Sequence, residues 1–164
     1  MSSKKTALLA IAPVYRGLGY IAFNHNRIPI DWGTVENRNR ENAARLRRAR
    51  VLIETFAPKV VVLEQTDSPS CRRKPHFRAL ISKIAGTAKR LGCEVALYDR
   101  VAIADCLDLE RRAIKDVQAR AIAKRLPAIA HCLPKPRRIW ESEKHAMAMF
   151  TAAGLALAHF QRLG

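Results

Sequence analysis

Apolar residues recur along this chain in two rhythms, first the period of strands and then that of helices. Residues 6–12 (TALLAIA) are almost continuously apolar, are too few for a helix and end at Pro13, which predicts a strand buried on both faces. Gly17 and Gly19 open a second apolar run, Tyr20-Ile21-Ala22-Phe23. His25 and Asn26 mark a turn, and residues 27–35 then place Ile28, Ile30 and Trp32 at every second position, the pattern of a strand with one buried face. Three such runs joined by short turns predict an antiparallel meander.

From Asn37 the rhythm changes. Residues 37–39 offer helix N-caps, and a long helix is expected to about Phe56, with Leu46, Val51, Leu52, Ile53 and Phe56 on its inner side. Arg38, Arg40, Arg45, Arg47, Arg48 and Arg50 fall on its outer side, where few carboxylates offset them, and a phosphate-facing role fits them as well as a solvated face. After Pro58 comes Val60-Val61-Val62-Leu63-Glu64, a valine-rich strand ending in a carboxylate. A polar loop, a helix over residues 76–91 stopped by Gly92, and a short strand over 94–98 follow. Helix, strand, helix, strand requires parallel crossovers, so the chain is an α/β domain with a mixed five-stranded sheet, three strands antiparallel and then two parallel. Asp99 is placed to cap a helix through Cys106, residues 111–126 form a basic amphipathic helix, and residues 133–138 form an extended basic loop. Ser142 is an N-cap for a last, largely apolar helix to about Arg162 that should pack on the sheet. No repeat or linker interrupts residues 1–164, which read as a single domain. In open α/β sheets ligands meet the carboxyl ends of the strands, which makes Glu64 the first candidate for chemistry.

Charge narrows the partner. The chain holds 30 Lys+Arg against 14 Asp+Glu, a net charge of +16, an excess that points to a polyanion and above all to nucleic acid. No apolar run approaches the roughly 20 residues needed to cross a bilayer, no amphipathic membrane helix is evident, and residues 6–13 are too short for a signal peptide. Cys71, Cys93, Cys106 and Cys132 form no C-x-x-C pair, which argues against zinc and fits reduced thiols in a cytoplasmic protein. His25, His76, His131 and His159 have no partner at ligand spacing and read as surface or structural. Gly17 and Gly19 serve a tight turn and a close strand approach, since no helix follows them to make a phosphate loop.

Ile11-Ala12-Pro13-Val14-Tyr15-Arg16-Gly17-Leu18-Gly19-Tyr20 is similar to an opening motif I-D-P-x-x-R-G-x-G-aromatic, and the strand ending at Glu64 is similar to a second motif that closes in Glu. Cys71-Arg72-Arg73-Lys74-Pro75, with Arg78, resembles a basic segment of the same family. Trp140-Glu141-Ser142-Glu143 through Phe150-Thr151-Ala152-Ala153 resembles its closing motif, W-x-S-E-D-E-R-M-x-x-F-D-A-A. In this order and spacing, over nearly the whole chain, the sequence resembles the RuvC-like Holliday junction resolvases of the ribonuclease-H-like superfamily. The resemblance implies that fold, branched or duplex DNA as partner, and a two-fold homodimer.

It also implies divalent metal held by carboxylates, and here the chain departs from the pattern. Ala12 stands at the first-strand Asp position, Thr151 at the Asp of the last helix, and Lys144 and His145 at the acidic pair before it. Only Glu64 remains. Magnesium wants hard oxygen ligands and two ions clamp a phosphodiester in such enzymes, which one carboxylate does not provide. His145 suits softer metals. Glu143 shares a helix side with Thr151 but lies roughly 12 Å away along the axis, and is better placed to stabilise the helix N-terminus.

The leading expectation is a nucleic-acid-binding protein that has lost the family's metal-dependent nuclease activity, with no cofactor and no metal site. Arg16, Arg72, Arg73, Lys74, Arg137 and Arg138 are its expected phosphate contacts, and Trp140 is either a stacking residue or an anchor for the last helix. Glu64 then has a structural role, satisfied by backbone amides or an arginine such as Arg16. Two alternatives stand beside this. One is an active structure-selective endonuclease that recruits magnesium or manganese through Glu64 and non-standard ligands. The other is a scaffold whose basic surface binds an acidic protein partner.

Overall fold

The computed structural model describes residues 6–37, 41–67, 71, 73–134 and 146–164. Strands β1 (Leu8–Val14), β2 (Gly17–Phe23) and β3 (Pro29–Glu36) form the meander. They are followed by α1 (Asn42–Phe56), β4 (Val60–Glu64), α2 (Pro75–Arg90), β5 (Glu94–Tyr98), α3 (Arg100–Cys106), α4 (Lys115–Arg125), a 3-10 segment at Pro127–Cys132 and α5 (Met147–Leu163). Among the described residues the strands make one sheet in the order β3-β2-β1-β4-β5, with β4 parallel to both β1 and β5. This is the mixed sheet the sequence predicts.

Strand alternation divides the core in two. Leu8, Ala10 and Ala12 of β1, with Ile21, Phe23 and Val62, face α3, α4 and α5. Leu9, Ile11, Leu18, Val61 and Leu63 face α1 and α2. Both faces of β1 and β4 are therefore covered, which is why these strands read as unbroken apolar runs. Phe23 meets Phe160 of α5 edge to face, with ring centroids 4.9 Å apart. A Cβ on Gly19 would run into the backbone of Ala148 and Met149, so this glycine lets α5 cross β2 directly beside Ala12, its partner in β1. Gly17 has a φ of 153° and lies equally close to the Val35 carbonyl.

Several local expectations need correction. β1 does not stop at Pro13 but runs to Val14; its pairing with β4 ends at Ala10–Val62, so Pro13 need not donate on that side. Ile28, which precedes β3, and Ile30, on β3 at the edge of the sheet, are exposed. On α1, Val51 is exposed and Arg45 is buried at 2% exposure: Ala44, Arg45, Ala49 and Ile53 are the buried positions, with Leu46, Leu52 and Phe56 partly buried against the same core as expected. The helix spans Asn42–Phe56 with Glu41 before it and Asn37 follows β3; the other two expected caps, residues 38 and 39, lie outside the described residues. α4 begins at Lys115 rather than at Arg111. Asp99 caps α3 as expected, its carboxylate accepting from the Ala102 amide at 2.9 Å. The expected cap Ser142 lies outside the described residues.

Candidate functional site

Glu64 closes β4 at the carboxyl end of the sheet. The β1–β4 register pairs Ala10 with Val62, and two residues further along the strands stand Ala12 and Glu64, both on the side of the sheet that α5 covers. The methyl of Ala12 is buried, at 1% exposure. The carboxylate of Glu64 instead meets Arg73, whose Nε donates to Oε2 at 2.8 Å, with 12% and 21% of the two side chains exposed. Arg73 Nη1 also donates to the Pro13 carbonyl at 3.0 Å. One guanidinium thus joins the end of β4 to the end of β1.

A second arginine completes the arrangement. Beyond Ala10, β1 has no strand on its β4 side, and its carbonyls need other donors. Arg45 reaches them from α1, its Nη1 donating to the carbonyls of Val14 and Tyr15, each at 2.9 Å, and its Nη2 to Asn42 Oδ1 at 3.2 Å. Both guanidiniums lie over the Phe77 ring of α2, Arg45 at 5.2 Å and Arg73 at 5.3 Å from its centroid. Burial lowers the Arg45 pKa below its ordinary value, while Tyr15 raises it. Asn42 Nδ2 donates to the His76 carbonyl at 2.8 Å, tying the first turns of α1 and α2 together.

The described donors do not fit a pair of divalent ions; Glu141, Glu143 and His145 lie outside the described residues. Among the described residues no group of three or more His, Cys, Asp or Glu side chains could hold a metal. The Glu64 carboxylate already carries a fixed cation, and Arg73 would have to leave before a dication could approach. Thr151 does not join the site: its hydroxyl donates to the Met147 carbonyl one turn back at 3.1 Å. It lines a cavity of about 10 Å³ with Ile103, Lys115, Gln118 and Ile122, on the α3 and α4 side of the helix.

Of the expected phosphate contacts, Arg16 is exposed in the β1–β2 turn and Lys74 is exposed at the start of α2. Arg73 is half-buried against Glu64, and so Arg73 rather than Arg16 satisfies that carboxylate. Arg72, Arg137, Arg138, Trp140, Lys144 and His145 lie outside the described residues. Arg78 ties the β4–α2 loop through the Thr66 carbonyl at 2.8 Å. The sequence reading missed Arg45 and Phe77. A signal for Arg45 does exist, since Arg45, Ala49 and Ile53 share one helix face at successive intervals of four.

No family model and no curated protein sequence matches the chain. Solved structures do. The backbone is similar to Thermus thermophilus RuvC, with a TM-score of 0.63 and 19% identity over 96% of this chain and 96% of that one. It is equally similar to T. thermophilus RuvC in complex with a Holliday junction substrate, at 0.63 and 18% over 96% and 95%. The yeast mitochondrial Holliday junction resolvase Ydc2 matches at 0.55 and 12%, over 96% of this chain and 80% of that one. Strand order, motif order and these neighbours agree that the chain has the RuvC-like form of the ribonuclease-H fold.

Proposed function

We propose that this protein binds nucleic acid on a RuvC-like fold that no longer performs metal-dependent phosphodiester cleavage. The observation that carries the second half is the Arg73–Glu64 pair beside Ala12: a guanidinium stands on the one carboxylate where resolvases of this family hold metal. A fixed monovalent cation supplies no metal-bound water and no second ion to clamp the leaving oxygen. Binding rests on the net charge of +16 and on the likeness to RuvC, which in one structure holds a Holliday junction substrate. Arg16, in the β1–β2 turn, and Lys74, before α2, are exposed and available to phosphate, and Arg72, Arg137, Arg138 and Trp140 extend the same assignment. A two-fold dimer would present two such surfaces to branched DNA.

The test is fluorescence anisotropy of labelled four-way junction and plain duplex at rising salt. Phosphate-directed binding gives a straight log–log plot that falls by about 0.9 for each phosphate neutralised. A flat plot, or displacement by an acidic polypeptide but not by DNA, would favour a protein partner instead.

A further inference from the structure

The strand ends do not use all of the positive surface. On the α1 side of the sheet, Ala44, Arg47, Arg48 and Val51 line an open groove of about 350 Å³ together with Asn37, which follows β3. Arg47 and Arg48 are exposed. The Asn37 Nδ2 atom is buried, yet finds no acceptor among the described residues. The charged groups on the wall are two guanidiniums, donors only, and the Asn37 amide beside them has an NH2 without a partner. No carboxylate lines the groove among the described residues. Glu54, the acidic residue next along α1, is held by Arg50 at 2.7 Å, while Glu36 and Glu41 are exposed beside the groove in sequence.

We infer that this groove is a second nucleic-acid contact, a seat for the phosphodiester backbone separate from the strand-end site. A phosphodiester offers only acceptors and carries a negative charge, which matches the exposed guanidiniums of Arg47 and Arg48. Residues 44 to 51 extend about 10 Å along the helix, a rigid array suited to a regular polyanion rather than to a flexible acidic peptide. The groove also adjoins the β1–β2 turn, where the Asn37 amide donates to the Arg16 carbonyl at 2.6 Å. Arg16 therefore stands in the turn next to the groove that Arg47 and Arg48 line. This inference rests on the nucleic-acid reading above and adds where the backbone runs.

The test compares wild type, Arg47→Ala/Arg48→Ala and Arg120→Ala/Lys124→Ala, the last removing the same charge from exposed positions on α4, across the sheet. Each binds a fluorescein-labelled duplex between about 50 and 200 mM salt, the range over which phosphate contacts are read out. Two lost contacts reduce the log–log slope by about 1.8, so over that range the α1 variant loses about 12-fold less affinity than wild type does. The α4 variant keeps the wild-type slope. Asn37→Ala weakens binding without lowering the melting temperature of the free protein, which separates a ligand donor from a structural one. If wild type binds but both double variants share its slope, the groove is overturned and the nucleic-acid reading stands. If wild type does not bind duplex at low salt, both fall.

Discussion

Arg73 Nε lies 2.8 Å from Glu64 Oε2, and the same guanidinium donates to the carbonyl of Pro13 at the end of the neighbouring strand. The pair is a clasp between β1 and β4. Arg73→Ala leaves a largely buried carboxylate without its cation and a carbonyl without its donor, and should lower unfolding free energy by about 1–3 kcal/mol, between the exposed and fully buried limits for such pairs. Glu64→Gln should be less harmful, since an amide still accepts from Arg73. Urea unfolding of both single variants and the double variant isolates the coupling, and additive single effects would mean the contact contributes nothing.

Arg45 is the more demanding position. Its replacement by Ala or Met leaves the Val14 and Tyr15 carbonyls unmet and empties one side of Phe77, a loss of about 3–5 kcal/mol by analogy with buried charged networks. Arg45→Lys should not restore stability, because an ammonium cannot reproduce the planar fork over the ring. Full rescue by Lys in a urea melt would show that charge alone matters.

Much of this arrangement is legible in the amino-acid order. Val60–Glu64 announces itself because a short valine-rich run has no helical alternative; Gly19 signals a close approach, which the sequence assigns to a strand and the structure gives to the α5 backbone. Arg45 was hidden by company: among six arginines on or before one helix, nothing in residue type distinguishes the one that turns inward. Ile28 and Ile30 misled for the opposite reason, since alternation signals a strand but not whether another layer covers it. The partner of Glu64 lies nine residues away across a loop, and such a contact leaves no periodic trace.

Gly19→Ala tests the close approach of α5. The added methyl meets the Ala148 and Met149 backbone, so the helix must shift, with a destabilisation of about 1–3 kcal/mol. The near-ultraviolet circular dichroism of the core aromatics should change with it. Wild-type stability would mean that α5 slides freely over β2.

His159 provides a pH test. It shares a 2.8 Å hydrogen bond with the Tyr98 hydroxyl, and burial, then Arg162 and Arg27, lower its pKa below 6.5 while Glu94 opposes them. The unfolded chain therefore takes up a proton first, and stability contributed by neutral His159 is lost as pH falls below about 6.5 toward the lower folded value. The melting temperature of wild type should drop across that window more than that of His159→Gln. Parallel curves for the two proteins would show that His159 does not titrate on unfolding.

The central claim is binding without cleavage, and the most direct measurement is nicking of a labelled four-way junction in magnesium and in manganese, at protein concentrations where the junction is bound. A lone carboxylate clasped by Arg73 predicts an intact junction with either metal. Metal-dependent nicking by wild type that disappears in Glu64→Gln would contradict it and make Glu64 a catalytic residue.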